Sequence, residues 1–194
     1  DSPHRVQCVR GADIEGVQRF TLKDAPTRYV KPGSLSRRKL NCGDIVVEMS
    51  GGSPTQSTGR ACIISESFLN RLATPVVTSN FCKTLRPRDI SHAGLIYAEL
   101  RTAWSRGDFF QFENGTTGIK NLAYDEYAHV TEILVPPAAE LSQFSKTVES
   151  IFENMDAIAA ESRTLAELRD TLLPELMSGR VRVKDAEKKI EEVM

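Results

Sequence analysis

The side chains best suited to metal binding or nucleophilic chemistry are spaced too widely for either use. They are His4, His92, His129, Cys8, Cys42, Cys62 and Cys82. No C-x-x-C or H-x-x-H pair is present, so a zinc site would have to be assembled from distant pieces. We therefore expect ordinary core or surface residues. Cys82 beside Lys83 could be an activated thiol, which leaves open an enzyme built from Cys82 and a distant histidine.

The short motifs that mark common catalytic sites are also missing. Gly51-Gly52-Ser53 lacks the lysine that a phosphate-binding loop requires and is typical of a turn. There is no G-x-S-x-G nucleophile elbow, and no N-P-P-[FYW] tetrapeptide of the kind that holds a flipped adenine for methylation. We predict that the chain binds and does not catalyse, and that it carries no cofactor of its own.

Hydrogen-bonding side chains are concentrated in four stretches that we predict to contact DNA. Asparagine and glutamine can read adenine, arginine and lysine can read guanine, and serine, threonine and lysine suit phosphates. The predicted contact residues are Arg37, Arg38, Lys39, Ser53, Thr55, Gln56, Thr58, Arg60, Asn80, Lys83, Arg86, Asn114, Thr116, Thr117 and Lys120. The alternative is that these stretches are polar simply because loops face water.

Length and composition fit one ordinary globular domain with an appendage. The chain has 194 residues, 40% of them hydrophobic and 26% charged, and a net charge of −1. No apolar run approaches the roughly 20 residues of a membrane-spanning helix, and sparse cysteines are typical of a reducing compartment. We therefore expect a cytoplasmic protein without membrane contact. Up to Pro136 there are 17 Lys and Arg against 14 Asp and Glu, and from Pro137 there are 8 against 12.

Pro136-Pro137 is the predicted boundary between a domain at 1–136 and a second region at 137–194. Before it, short alternating pieces between turn clusters predict a mixed α/β (α+β) domain with a mixed sheet and long loops. We expect strands at 5–9, 44–49, 61–65, 74–78, 109–113 and 129–135, the fifth leading into a turn at Asn114-Gly115. Ser91 is predicted to cap a helix that runs to about Arg106.

After the two prolines, apolar residues recur at alternating spacings of three and four, which predicts a coiled-coil helix. The predicted partner-binding seam consists of Leu141, Phe144, Val148, Ile151, Met155, Ile158, Leu165, Leu168 and Leu172. Its phase changes where Ser162 and Arg169 replace apolar residues. About 35 helical residues before Pro174 would span about 50 Å, so we expect a projecting helix that needs a partner. A short restart at 174–177 and a frayed helix at 184–194 would follow. The alternative is a helix that folds back on its own body.

Four segments together resemble the specificity subunit of a type I restriction–modification system. They are PPAAE at 136–140, LRDTLLPELMSGRV at 168–181, LNCGDIVV at 40–47 and GTTGIKNL at 115–122. Their order and spacing, more than any one of them, carry the resemblance over nearly the whole chain. Two features depart from the family pattern: Leu141 stands where a glutamine is usual, and the opening segment before the first strand is missing.

The resemblance implies a target-recognition domain followed by one conserved helical region. Subunits of this family are non-catalytic, select a bipartite sequence in double-stranded DNA, and hold two modification subunits that use S-adenosylmethionine to methylate adenine. Their helices set the gap between the half-sites, and restriction subunits join the assembly. A complete subunit usually has two of each region, so the chain resembles a C-terminal half, or a half-subunit that works as a homodimer. The rival hypothesis is a coiled-coil protein-interaction adaptor without DNA binding.

Overall fold

The structure is a computed structural model that describes residues 2–19, 25–115 and 118–191. Within those ranges the chain forms three small sheets of three strands each. The strands are β1 (His4–Val9), β2 (Thr27–Val30), β3 (Ile45–Glu48), β4 (Ser50–Gly51), β5 (Ala61–Ile63), β6 (Val76–Thr78), β7 (Cys82–Leu85), β8 (Glu113–Asn114) and β9 (Lys120–Leu122). The central strands are β1 between antiparallel β2 and parallel β6, β3 between antiparallel β5 and β7, and β9 between antiparallel β4 and β8.

Helices cover these sheets and form the C-terminal region, which confirms the predicted mixed α/β class. They are α1 (Ile14–Gln18), α2 (Pro32–Arg38), α3 (Glu66–Asn70), α4 (Ala93–Arg106), α5 (Tyr124–Val130), α6 (Ala138–Met177) and α7 (Val183–Glu191). The residues at several helix ends explain where those helices begin or end. Proline occupies the first turn of α2, Ser65 accepts a hydrogen bond from the Phe68 N–H to cap α3, and Gly107 ends α4 in the left-handed region at φ 79°.

Strand β3 divides the core of the body into two clusters. All four of its residues are buried, so both faces of the strand are covered. Because successive side chains of a strand point to opposite faces, Val46 packs in one cluster while Ile45 and Val47 pack in the other. This explains why the segment is a continuous apolar run instead of an alternating one.

The predicted strands at 5–9, 44–49, 61–65 and 74–78 are confirmed, with ends displaced by one or two residues. The strand predicted at 109–113 is wrong, because Asp108–Phe112 is a 3-10 helix that follows directly on Gly107. The rings of Phe109 and Phe112 lie 4.7 and 5.5 Å from that of Tyr127. Side chains three residues apart meet one ring in this way only when the backbone is helical.

Two further local predictions are wrong. Instead of a strand at 129–135, helix α5 ends at Val130 and no regular element occupies 131–137. Tyr127 packs against the rings of Phe109 and Phe112, which attaches the helical segment 124–130 to the 3-10 helix. The cap of α4 is His92 instead of Ser91. The Asp89 carboxylate accepts a hydrogen bond from the Ser91 N–H at 2.9 Å and caps the preceding 3-10 turn.

The predicted long helix is confirmed as α6, which has 40 residues and a length of about 60 Å. It does not break at Pro174, so the predicted restart at 174–177 is wrong. Proline removes a single backbone hydrogen bond here, and the Ser178 N–H still donates to the Pro174 carbonyl at 3.0 Å. The predicted terminal helix is α7, which contacts the end of α6.

One face of α6 packs along the body. Leu141 is buried, the Ser145 hydroxyl donates to the Ser91 carbonyl at 2.8 Å, and Val148 lies against Gly94. Further along, the Phe152 ring lies 6.1 Å from that of Tyr97. The first half of the helix is therefore covered by the body on this face, as the fold-back alternative proposes.

The predicted seam is divided between two environments. Leu141 and Val148 face the body, and Leu172 is buried in the part of α6 that α7 contacts. The exposed members are Phe144 (36%), Ile151 (51%), Met155 (37%), Ile158 (61%) and Leu165 (42%), and Leu168 is half-buried. We call Phe144, Ile151, Ile158 and Leu165 the outer row, since they repeat every seven residues. In the described ranges, no helix combines the length and the apolar character needed to cross a membrane.

Candidate nucleic-acid interface

The predicted DNA-contacting stretches at 53–60 and 114–120 meet on the third sheet. Strand β4, which lies just before the stretch at 53–60, pairs with β9, so that Ser50 lies opposite Asn121 and Gly51 opposite Lys120. The Ser50 hydroxyl donates to the Asn121 Oδ1 at 2.5 Å. Two segments about 70 residues apart in the sequence therefore form one surface.

The predicted stretch at 80–86 joins the same surface through Met49. The Met49 N–H donates to the Phe81 carbonyl at 2.8 Å, and the Met49 carbonyl accepts from the Leu122 N–H at 2.9 Å. The turn at 79–81 and the strand β9 therefore lie on either side of a single residue. We call residues 50–56, 79–81, 114–115 and 118–121 the loop surface.

Several predicted contact residues remain available on the loop surface. Thr55, Gln56, Asn80 and Asn114 are exposed, and Ser53 is half-buried in a turn in which its hydroxyl accepts from the Gln56 N–H at 3.0 Å. Asn121, next to the predicted Lys120, is also exposed. Uncharged donors and acceptors are thus held on two short paired strands, β8 and β9, and on the neighbouring turns. The predicted residues Thr116 and Thr117 lie outside the described residues.

Two other predicted contacts, Arg60 and Thr58, are used inside the fold. The Arg60 guanidinium donates two hydrogen bonds to the Glu48 carboxylate, at 2.9 and 2.6 Å, and the Glu48 side chain is only 3% exposed. These hydrogen bonds raise the pKa of Arg60, so its guanidinium stays charged. Thr58 is fully buried, and its hydroxyl donates to Glu113 at 3.0 Å.

Lys120 belongs to the same buried network. Its ammonium lies 2.6 Å from Glu113, whose side chain is 4% exposed and which also accepts the Thr58 N–H at 2.6 Å. Burial alone would raise the pKa of Glu113, but the hydrogen bonds from Lys120 and Thr58 outweigh it and hold the pKa below its usual value. The charge of Lys120 is therefore largely matched within the protein.

Two more predicted contact residues, Lys83 and Arg86, form ion pairs with carboxylates. The Arg86 pair lies away from the loop surface. Lys83 lies 2.5 Å from Asp125 and 4.9 Å from the centre of the Tyr124 ring. Arg86 donates to both oxygens of the buried Asp44 carboxylate, at 2.7 and 2.6 Å, next to the Gly43 turn. Both cations thus connect neighbouring elements of the body.

The basic triplet Arg37, Arg38 and Lys39 lies at the end of α2, beside the first sheet. The Arg38 guanidinium donates to the Thr78 carbonyl, and Lys39 forms a bridge with Val77. Neither Arg37 nor Arg38 forms an ion pair with a carboxylate in the described part of the chain. In this part of the structure, no carboxylate therefore matches their charge.

Sequence reasoning missed two more cations of this group, Arg28 on β2 and Lys31 just after it. Arg28 lies opposite Val6 on β1, the strand that also carries Cys8. Burial raises the pKa of the Cys8 thiol, and Arg38 and Arg28 oppose that rise. The signal was present in the sequence, because 25–43 contains five Lys and Arg and no Asp or Glu. We call Arg28, Lys31, Arg37, Arg38 and Lys39 the basic face.

The environment of Cys82 does not suit the enzyme hypothesis. The residue is buried on β7, and burial raises the pKa of its thiol to about 11 although the Ser79 hydroxyl donates to the sulfur at 3.7 Å. A thiol with such a pKa is protonated at neutral pH and is a poor nucleophile. Lys83, beside it in the sequence, pairs with Asp125 instead.

Comparison with known proteins gives one informative match. No family model matches the chain. Over 128 residues it is 27% identical to the specificity subunit of the type I restriction enzyme HindI from Haemophilus influenzae. The resemblance to type I specificity subunits is thereby confirmed. The matched segment is 66% of this chain and 28% of the HindI specificity subunit, so the chain corresponds to less than a third of that protein's length.

Proposed function

We propose that the chain is the DNA sequence-specificity subunit of a type I restriction–modification system, or the C-terminal half of one. The similarity to the HindI specificity subunit carries this proposal. In it, residues 1–136 recognise one half of a bipartite target in double-stranded DNA, and residues 137–194 are the spacer and docking region. The chain itself is non-catalytic and works in the cytoplasm with modification subunits that methylate adenine and, through the same complex, with restriction subunits.

The loop surface supports a role in reading bases. Asn80, Asn114 and Gln56 are exposed there and carry amide groups, which can donate to and accept from adenine at the same time. Their backbones belong to short hydrogen-bonded strands and turns, so little order is lost on binding. Arg60 and Lys120, by contrast, pair with the buried carboxylates of Glu48 and Glu113 and so stabilise the fold that carries the loop surface.

The basic face supports a role in binding phosphates. Its arginines and lysines are free of carboxylate partners in the described ranges, and Arg38 contacts Thr78, next to the turn at 79–81. Phosphate contacts hold a protein in register on the duplex while base contacts select the sequence. We expect the double variant Arg37→Ala, Arg38→Ala to weaken binding to all sequences equally and to lower the salt dependence of binding.

The outer row supports a role in docking a helical partner. Ile151, Ile158 and Leu165 leave between 42% and 61% of their side chains exposed, and a repeat of seven residues fits one helix against another. The partner is a second copy of the chain, or the second recognition half of a longer subunit, and modification subunits dock on the same region. In an antiparallel pair centred on the outer row, the twofold axis would pass between Ile151 and Ile158, so Ile158 of one copy would lie near Ile151 of the other.

The decisive experiment measures DNA methylation. The chain is mixed with the adenine methyltransferase encoded beside it, and methylation of genomic DNA is mapped by single-molecule sequencing. We expect a stable complex by size-exclusion chromatography with light scattering, and methylation confined to one bipartite sequence. Separate elution of the two proteins, with methylation unaffected by the chain, would overturn the proposal and favour the adaptor hypothesis.

A matched pair of variants tests the outer row. Ile158→Asp places a charge in the row, whereas Ala160→Asp places the same charge on an exposed position of α6 outside it. We expect Ile158→Asp to abolish the homodimer or the contact with the second half, and Ala160→Asp to leave it intact. Equal masses for the two variants by light scattering would show that the outer row is not the pairing surface.

A further inference from the structure

Phe81 presents a large aromatic ring to solvent at the tip of the turn between β6 and β7. Its side chain is 59% exposed, and the preceding Asn80 is exposed as well. The turn is closed by a hydrogen bond from the Cys82 N–H to the Ser79 carbonyl at 3.2 Å, and the Ser79 hydroxyl accepts from the Phe81 N–H at 3.3 Å. These two hydrogen bonds hold the turn closed while most of the Phe81 side chain stays exposed.

The backbone beneath the ring is fixed on both sides. The Ser79 N–H donates to the Val9 carbonyl at the end of β1, and the Met49 N–H donates to the Phe81 carbonyl beyond the end of β3, each at 2.8 Å. The turn is thus tied to two different sheets. Because only the two side-chain torsions of Phe81 remain free, a contact made by its ring loses little conformational entropy.

Other exposed apolar side chains border the same surface. Ile119 is 67% exposed and Phe110 is 41% exposed, and both flank Lys120, whose ammonium lies 5.3 Å from the centre of the Phe110 ring. Exposed amide groups and exposed rings therefore occur together on the loop surface. Bases offer both kinds of partner, since their edges form hydrogen bonds while their faces and the thymine methyl group are apolar.

We infer that Phe81 makes an apolar contact with bases of the DNA target and, with Asn80, sets the sequence preference at one or two adjacent positions. This inference rests on the proposed function. Phenylalanine can pack against a thymine methyl group in the major groove, or it can insert between stacked base pairs and kink the duplex. Both are apolar contacts of one ring, and the experiment separates them.

The experiment compares wild-type chain with Phe81→Ala, Phe81→Gln and Phe81→Leu, each in complex with the modification subunit. A pool of double-stranded oligonucleotides with a randomised core is selected on the wild-type complex, and affinities are measured for the selected sequence and for a scrambled one. Ile90→Ala is the matched control, since Ile90 is a 60% exposed apolar side chain on the α4 and α6 side of the body. Urea unfolding midpoints confirm that each variant is folded.

We expect Phe81→Ala and Phe81→Gln to bind the selected sequence roughly tenfold more weakly, with affinity for the scrambled sequence unchanged. Phe81→Leu should retain more of the preference, and Ile90→Ala all of it. Replacing thymines of the selected site by uracil should reproduce the loss if the ring packs on a methyl group. Fluorescence of 2-aminopurine in the site should rise if the ring inserts.

Two results would overturn the inference. The first leaves the proposed function intact, and the second overturns the proposed function as well. If wild-type complex selects a sequence and the Phe81 variants show the same ratio of affinities, the inference alone is wrong. If wild-type complex shows no preference among the oligonucleotides, the proposed function fails, and the inference fails with it.

Discussion

Replacing Arg60 by alanine distinguishes a structural cation from a DNA contact. In the structure the guanidinium of Arg60 is bidentate to Glu48, and the two side chains are 26% and 3% exposed. The Glu48 carboxylate also lies close against Gly11 and Gly51, which have no side chains that could donate to it. In an Arg60→Ala variant the carboxylate is left buried and unpaired.

The expected loss of stability follows from that burial. Breaking a buried ion pair by removing one partner costs about 3–5 kcal/mol, and because Arg60 is partly exposed we expect about 3 kcal/mol. A domain of this size is stable by roughly 5–15 kcal/mol, so this is a large fraction of the total. With a urea m-value of about 2 kcal/mol per molar, the unfolding midpoint should fall by about 1.5 M.

The assay is urea unfolding followed by circular dichroism, with Lys83→Ala as the matched control. Lys83 also pairs with a carboxylate, but its partner Asp125 is 88% exposed, so the control should lose less than about 1 kcal/mol. Arg60→Met combined with Glu48→Gln should recover part of the loss, because no buried charge remains. An Arg60→Ala variant that unfolds at the wild-type urea concentration but binds DNA more weakly would refute the structural role of this pair.

Two further predictions concern buried ionisable groups. Because the pKa of Glu113 lies below its ordinary value of about 4.5, its stabilising contribution is present above about pH 4.5 and is lost as the pH falls through the lower value in the folded state. Urea titrations from pH 6 to pH 3 should therefore show a smaller acid-induced loss of stability for Glu113→Gln than for wild type, and equal slopes would contradict the Lys120–Glu113 pairing. Burial raises the pKa of Cys82 to about 11 and that of Cys62 further, so a thiol reagent should label Cys42, which is half-buried, before either of them. Mass spectrometry of the folded chain that finds Cys62 labelled as fast as Cys42 would exclude this packing.

Periodicity predicted the elements whose burial pattern is simple. The strand at β3 and the long helix α6 follow from short apolar runs and from a repeat sustained over several turns. The strand predictions at 109–113 and 129–135 are wrong, because Phe109 and Phe112 lie three residues apart, which also fits helical spacing, and their common contact, Tyr127, belongs to a helix that ends only at Val130. A short apolar segment therefore takes its conformation from the element against which it packs.

The cations of the candidate interface could not be sorted from the sequence for a similar reason. Arg60 and Arg37 have the same side chain in similarly polar surroundings, yet one faces a carboxylate and the other does not. The partner of Arg60 is 12 residues away and that of Arg86 is 42 residues away, so the pairing exists only after the sheets form. Glu48 gave a partial indication in the sequence. It is the last residue of the otherwise apolar strand β3, and a carboxylate on a buried strand requires a paired cation.

In the proposed function the long helix would connect recognition to assembly, because one of its faces packs on the body and the other carries the exposed outer row. Val148 and Phe152 hold one face against the body, and the close approach to Gly94, where an added Cβ would lie 3.2 Å from Val148, leaves no room for the helix to roll. The Asp156–Arg71 ion pair at 2.5 Å fixes the helix further along. The outer row lies on exposed positions of the same helix that these contacts attach to the body. A partner seated on that row would hold the two recognition surfaces of a dimer at a set distance, which a bipartite target with a fixed gap requires.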